Sequence, residues 1–214
     1  MPRTIHPELL DALPPDHPDA IHSRRDLRFI NRFMGNHRWI ARELPRHVRA
    51  NDRMLEIGAG TGELALKLSR AGFAVDALDF VPPPPNWPAA LMWHQADLKT
   101  FGDYDQYGMI VGNLIFHHLT EDELGELGAR LRTSSRVIIA CEPVRRRFSQ
   151  LMFRAFAPIF GASHVTVHDG LVSIAGGFAS DELPCALGLD NDRWIVDQSS
   201  SLFGGYRMVA TRRA

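Results

Sequence analysis

The chain has 214 residues, 45% of them apolar and 23% charged, and its 24 basic and 25 acidic side chains leave a formal net charge of −1. This describes one globular domain able to bury a full core and excludes a disordered or fibrous chain. No surplus of Lys and Arg draws it onto nucleic acid, no apolar run nears the roughly 18 residues of a membrane span, and the opening MPRTIHPELLDALPPDHPDA lacks a secretory signal pattern, so a cytoplasmic protein is expected.

Residues 1–22 carry five prolines and several acids and read as an extended arm, with a single domain over 23–214. From Ser23 to Leu44 the residues Leu27, Ile30, Phe33, Met34, His37, Ile40, Ala41 and Leu44 share a helical face, and Gly35-Asn36 marks a break. This N-terminal lid over 23–49 precedes a core over 50–142, where strand and helix patterns alternate as in an α/β sheet. Strands are predicted at Arg53–Ile57, Ala74–Phe80, Leu91–Gln95, Tyr107–Gly112 and Arg136–Glu142. Helices are predicted at Glu63–Ala71 and, behind a Thr120 cap, at Glu121–Leu131. The link VPPPPNWP at 81–88 cannot enter a helix interior and is expected to be extended.

Residues 143–190 hold a helical repeat of Phe148, Leu151, Met152, Ala155, Phe156 and Ile159, then a second helix from about Ser180 to Leu189. GASHVTVHDG, between them, reads as loop or strand; its His164 and His168 lack a third ligand nearby, and no metal is expected. Cys141 and Cys185 are far apart and read as reduced thiols. Arg193–Asp197 and Tyr206–Thr211 close the chain as a hairpin within 191–214.

The stretch MLEIGAGTGELAL at 54–66 is a strand, a glycine turn and a helix start, the usual cradle for a nucleotide-like ligand. Its spacing departs from the dinucleotide pattern G-x-G-x-x-G, because Glu63 follows Gly58, Gly60 and Gly62. Glu63 and Glu56 flank the turn with carboxylates, which suits a ligand bearing an ammonium group. Asp79 lies near the offset at which a carboxylate meets a ribose diol. Asp97 follows the third strand, where it can accept from an exocyclic amine such as that of adenine.

LEIGAGTGELAL, then LDF, then ADL, then YGMIVGNLIFHHLTEDEL, in this order and spacing, resemble the class I S-adenosylmethionine-dependent methyltransferases over about residues 50–140. The resemblance implies a Rossmann-like, doubly wound, mostly parallel seven-stranded sheet with helices on both faces and an antiparallel C-terminal hairpin strand. It further implies that Glu56, Gly58, Ala59, Gly60 and Gly62 line the methionine end of the cofactor, with S-adenosylhomocysteine as product. Asp79 and Phe80 would meet the ribose, Asp97 and Leu98 the adenine, and Asn113 and Leu114 would border the sulfonium. VPPPPNWP departs from the family, many members of which have a helix there.

His117 and His118 follow the fourth strand, where ligands bind in such sheets, and are candidates to touch the acceptor; the alternative is a structural pair that caps or packs under the next helix. Asn113-Leu-Ile-Phe116 is not the Asn/Asp-Pro-Pro-Tyr box of base and glutamine methylases, which points to a small organic acceptor, with oxygen favoured. The 145–160 segment, with Arg145, Arg146, Arg147 and Arg154 beside seven large apolar residues, reads as core packing, an acceptor pocket, a transient contact with a membrane surface, or an anion clamp. The function expected is methyl transfer to a small, partly apolar molecule. The alternative is a non-catalytic cofactor-binding module that works through a partner in a biosynthetic complex.

Overall fold

Short apolar runs bounded by turns build the centre of the structure, a computed structural model that describes residues 1–14 and 16–213. Pro15 of the predicted arm, the side chain of Phe160 and Ala214 lie outside the described residues. Strands β1 (Met54–Ile57), β2 (Val75–Asp79), β3 (Trp93–Gln95), β4 (Met109–Asn113) and β5 (Val137–Pro143) are parallel. Strands β6 (Trp194–Ser200) and β7 (Gly205–Arg212) form a hairpin whose β7 pairs antiparallel with β5. The order is β3-β2-β1-β4-β5-β7-β6, a seven-stranded, mostly parallel sheet with an antiparallel C-terminal hairpin, the architecture the resemblance implies. Every residue of β1 and β5 is buried, as in strands covered on both faces. The chain reverses its winding between β1 and β4, and ligands of open α/β sheets bind at the carboxyl ends of such a pair.

Helix α1 (Pro18–Met34) begins ahead of the predicted Ser23. Pro18 suits the first helical position, and the Asp19 N–H donates to His17 Nδ1 at 3.2 Å, so the true start lies outside the apolar repeat. Gly35, with φ +69°, breaks this helix from α2 (Asn36–Glu43), where the sequence places the break. Helices α3 (Glu63–Arg70) and α4 (Glu121–Ser134) follow the prediction closely, and Thr120 and Glu123 form a reciprocal capping box on α4.

Helix α5 (Arg147–Phe156) has no fully buried residue; Met152 and Phe153 of its apolar stripe are half-buried, Phe153 against Gly170, while Phe148, Leu151 and Phe156 are exposed. Residues read as loop or strand at GASHVTVHDG belong to helix α6 (His164–Gly176). Val165, Thr166 and Val167 carry a β-like signal, but the Ser163 side chain caps the helix by accepting from the Thr166 N–H at 3.1 Å. Helix α7 (Glu182–Ala186) is shorter than predicted.

One face of the sheet packs Leu124, Leu127, Leu131, Leu183 and Leu187 from α4, α7 and the turn after α7; the other packs Ile40, Leu64 and Leu68 from α2 and α3. Close approach of α4 to that turn depends on Gly128, where an added Cβ would lie 2.4 Å from the Leu187 carbonyl oxygen. Gly128→Ala is expected to lower the unfolding free energy by about 1–3 kcal/mol in urea titrations. Gly125→Ala, whose Cβ would have 3.9 Å to its nearest neighbour, should leave stability unchanged or slightly higher.

Candidate cofactor and acceptor site

The turn after β1 holds three left-handed glycines, Gly58 (φ +65°), Gly60 (φ +56°) and Gly62 (φ +70°), a conformation that strains other residues. Ile115 packs where a Gly58 Cβ would stand, and the indole of Trp87 packs where a Gly62 Cβ would stand, whereas the space at Gly60 is open. The proline-rich link is not extended throughout as expected: it turns where the Trp87 N–H donates to the Pro84 carbonyl at 2.9 Å, and so lays Trp87 over the start of α3. Hydrogen bonds within the turn already use its N–H groups: Ala59 donates to the Leu78 carbonyl at 3.1 Å, Gly60 to Asp79 Oδ2 at 2.6 Å and Gly62 to the Ala59 carbonyl at 2.8 Å. A pyrophosphate would find these donors occupied, which weighs against a dinucleotide.

The turn offers a carboxyl group instead. Glu56 is 3% exposed, and among the described residues its Oε2 has no hydrogen-bond partner. Burial pushes its pKa up to about 8, and the nearby charge of Asp79 adds to this against a hydrogen bond from the Ala65 backbone. A buried acid with a free oxygen is costly unless a ligand completes it, and a cationic amine would do so. Asp79 Oδ1 accepts from the Val81 N–H at 3.1 Å, so each Asp79 oxygen takes one backbone donor and keeps a lone pair. Phe80 is exposed beside it. Asp97 Oδ1 accepts from the Lys99 N–H at 2.8 Å, and the adjacent Leu98 packs against the core.

The carboxyl end of β4 meets the N-terminal helices. Asn113 Nδ2 donates to Asn31 Oδ1 at 3.3 Å and lies 3.5 Å from His37 Nε2, while among the described residues its buried Oδ1 has no partner. Leu114 takes a left-handed conformation (φ +59°), rare for a branched residue and a mark of backbone strain at this turn. Burial first, then the charge of Lys67, lowers the His37 pKa to about 4, so its imidazole is neutral at pH 7. Asn31 and His37 were not predicted as site residues. The available signal is that both are polar residues on an otherwise apolar helical face.

His117 and His118 have other partners. His117 is 5% exposed, its Nδ1 lies 2.6 Å from Glu142 Oε2 and its Nε2 3.8 Å from Glu8 Oε1. Burial alone would lower its pKa, but the two carboxylates outweigh it and raise the value to about 9, making a buried imidazolium. His118 stacks on it with ring centroids 4.1 Å apart, and burial with the His117 charge lowers its pKa to about 4. Glu8, His117 and His118 bring their ligand atoms within 4.8 Å of one another. The pair thus ties the N-terminal arm to the β4–α4 turn through Glu8 and Glu142.

Arg3 reinforces this tie. Its side chain donates to the carbonyls of Gly176 and Leu119 at 2.8 and 2.7 Å and lies over the Phe178 ring at 4.6 Å. The late arginines divide: Arg145 is buried and bonded to Glu182 and the Gly177 carbonyl, which removes it from any anion clamp, while Arg146 reaches Ser200 at 3.1 Å on the surface. His164 and His168 stand one turn apart on α6, and His168 Nδ1 lies 3.0 Å from Asp169 Oδ1. No helix among the described residues is long and apolar enough to cross a membrane.

Comparison of the chain with protein-family models and with curated proteins finds no match. Solved structures do match in shape. The plantazolicin methyltransferase BpumL in complex with SAH aligns over 96% of this chain and 93% of its own, with a TM-score of 0.73 at 10% identity. The chain has the methyltransferase fold. A Burkholderia thailandensis 1,6-didemethyltoxoflavin-N1-methyltransferase with bound S-adenosylhomocysteine aligns over 92% and 86%, with a TM-score of 0.60 at 17% identity. Magnesium protoporphyrin IX methyltransferase (ChlM) from Synechocystis PCC 6803 with bound SAM aligns over 89% and 84%, with a TM-score of 0.58 at 13% identity.

Two stability measurements check the electrostatics. Glu142→Gln removes one partner of a buried pair and is expected to cost about 3–5 kcal/mol at neutral pH. His117 contributes its charged interaction below its unfolded pKa and loses it as pH rises through about 9, so the deficit should narrow above that pH in denaturant titrations. Glu56 has the opposite consequence for an acid: the folded state holds its proton up to about pH 8, so stability falls as pH rises from its ordinary pKa of 4.5 towards 8. Glu56→Gln should lack that slope and gain on the wild type between pH 5 and pH 9 in thermal melts.

Proposed function

We propose that the chain transfers a methyl group from S-adenosylmethionine to an oxygen of a small, partly apolar organic molecule. The observation that carries this reading is the buried, incompletely bonded carboxyl of Glu56 facing a turn of three left-handed glycines. In this reading Glu56 receives the amine of the cofactor, and the free lone pairs of Asp79 receive the ribose hydroxyls. Gly58, Ala59, Gly60 and Gly62 bring backbone close to the methionine end. Phe80, Asp97 and Leu98 flank the adenine, while Asn113 and Leu114 border the reacting centre. The cofactor supplies an electrophilic methyl group and leaves as S-adenosylhomocysteine.

The protein's share of such a displacement is alignment and exclusion of water. Helices α1 and α2 serve both ends, because Asn31 and His37 cover Asn113 and Arg28 of α1 lies 3.8 Å from Glu63 of α3. The neutral imidazole of His37 is placed to accept a hydrogen bond from an acceptor hydroxyl, a role that His117 and His118 are too committed to fill. Phe33 meets Phe203 of the β6–β7 turn with centroids 4.5 Å apart, and exposed Phe29, Phe148 and Leu151 supply further apolar surface on α1 and α5. This surface suits a partly apolar metabolite, and the porphyrin and toxoflavin substrates in the names of two structural neighbours support that class. The same exposed face of α5 favours the second reading, a cofactor-binding module that acts through a partner in a biosynthetic complex or rests on a membrane surface.

Calorimetric titration with S-adenosylmethionine, S-adenosylhomocysteine and NAD tests the proposal. Both sulfur compounds should bind and NAD should not, with Asp79→Ala weakening them at least tenfold. Preference for NAD would overturn it. Transfer of labelled methyl to a panel of hydroxylated aromatic acids separates the enzyme from the module, which would bind the cofactor without turnover.

A further inference from the structure

At the carboxyl edge of the sheet Asn113 of β4, Cys141 of β5 and Arg207 of β7 are register partners, so their side chains project from the same face. The hinge between α1 and α2 sits on this row: the Arg207 guanidinium donates to the Met34 carbonyl at 3.2 Å and lies 5.3 Å from the ring centre of Trp39. Two residues before Arg207 and on the same side of β7 is Gly205, where an added Cβ would stand 3.3 Å from Asn36 Oδ1. Asn36 and Arg207 therefore share one surface beneath the hinge.

This surface carries unmet polar groups. Asn36 is fully buried, yet among the described residues neither its Oδ1 nor its Nδ2 has a partner. The buried Nε of Arg207 has none either, and no carboxylate among the described residues pairs with its charge. Asn113 Oδ1, two strands away on the same row, is the third unpartnered site. Buried amides are ordinarily satisfied, and the half-buried Arg207 keeps its Nε out of water without an acceptor.

We propose that Asn36 and Arg207 form the recognition site for a carboxylate on the acceptor, whose hydroxyl lies beside Asn113 and donates to His37 at the reacting end. The inference rests on the methyltransferase reading and names its substrate class, an aromatic hydroxy acid. Arg207 Nε–H and Asn36 Nδ2–H would donate to the carboxylate, with the guanidinium supplying the opposite charge. Two strand spacings, about 10 Å between the backbones of Asn113 and Arg207, set the span that an aromatic hydroxy acid would bridge once the hinge opens, with the buried Cys141 between them as its floor. Phe33 and Phe203 stand at the rim of the same region to cover an apolar body. The hinge that must open to admit it is Gly35, left-handed and with no atom within 4 Å of an added Cβ.

The test uses the whole chain saturated with S-adenosylhomocysteine and measures binding of hydroxybenzoate, hydroxynaphthoate and hydroxyphenylpropanoate, each against its neutral carboxamide. At least one acid should bind tenfold or more tighter than its amide. Arg207→Gln should abolish that preference while leaving S-adenosylhomocysteine affinity within twofold, and Arg207→Lys, which keeps the charge, should retain part of it. Thermal melts of both variants show whether they fold, and a failure of the Gln variant leaves the Lys variant and the wild-type pairs to decide. No preference in any pair, or a preference that survives loss of the charge, overturns the carboxylate site alone. Failure of S-adenosylhomocysteine to bind the wild type would overturn the methyltransferase reading as well.

Discussion

The buried carboxylate of Glu142 holds the working edge of this molecule together. It accepts from the backbone N–H groups of Ile115, Phe116 and His117 at 2.9, 3.0 and 3.2 Å and from the His117 ring at 2.6 Å. A carboxyl group with that many donors is held rigid, and it shapes the turn that leaves β4. Ile115 is thereby set against Gly58, so the turn after β4 and the turn after β1 are packed as one unit. On the outer side His117 passes the constraint to Glu8, and Arg3 adds its own bonds to the carbonyls of the same turn, so the N-terminal arm is anchored to the element it crosses.

Two buried carboxyl groups, Glu142 of β5 and Glu56 of β1, are thus used in opposite ways. Glu142 is surrounded by donors and is structural. Glu56 lacks them, carries a raised pKa and is placed at the mouth of the glycine turn, which is the electrostatic signature of a group that waits for a cation. The same contrast separates the arginines. Arg145 has Glu182, whereas Arg207 has only a carbonyl and an aromatic face among the described residues. Polar groups with their bonds complete hold the fold, and those with bonds incomplete, Glu56, Asn36, Asn113 and Arg207, are the ones the proposed site would use.

Much of this was legible in the sequence where chemistry depends on near neighbours. The turn between β1 and α3, the acid that ends β2 and the capping of α4 by Thr120 all follow from local spacing, and the structure has them where the pattern places them. The histidine pair shows the limit: its residue types suit proton transfer, but its role is decided by Glu8 and Glu142, which no local pattern links to it. Asn36 and Arg207 were invisible for the same reason, since one begins a helix near the start of the chain and the other lies in the last strand. Helix α6 was misread because β-branched residues at its first turn outweighed a serine cap in the pattern, whereas α5 was legible as a helix although an amphipathic stripe does not say what covers it.

The central claim is that Glu56 is neutral in the free protein and becomes charged against the amine of an adenosyl-sulfur ligand. Proton release on S-adenosylhomocysteine binding, measured at pH 7 by calorimetry in buffers of different ionisation enthalpy, tests it directly. With the Glu56 pKa at about 8 in the free protein, close to one proton should leave per ligand bound. The release should fade at pH 9 and be absent in Glu56→Gln. Binding without proton release, or equal release in the variant, would contradict the account.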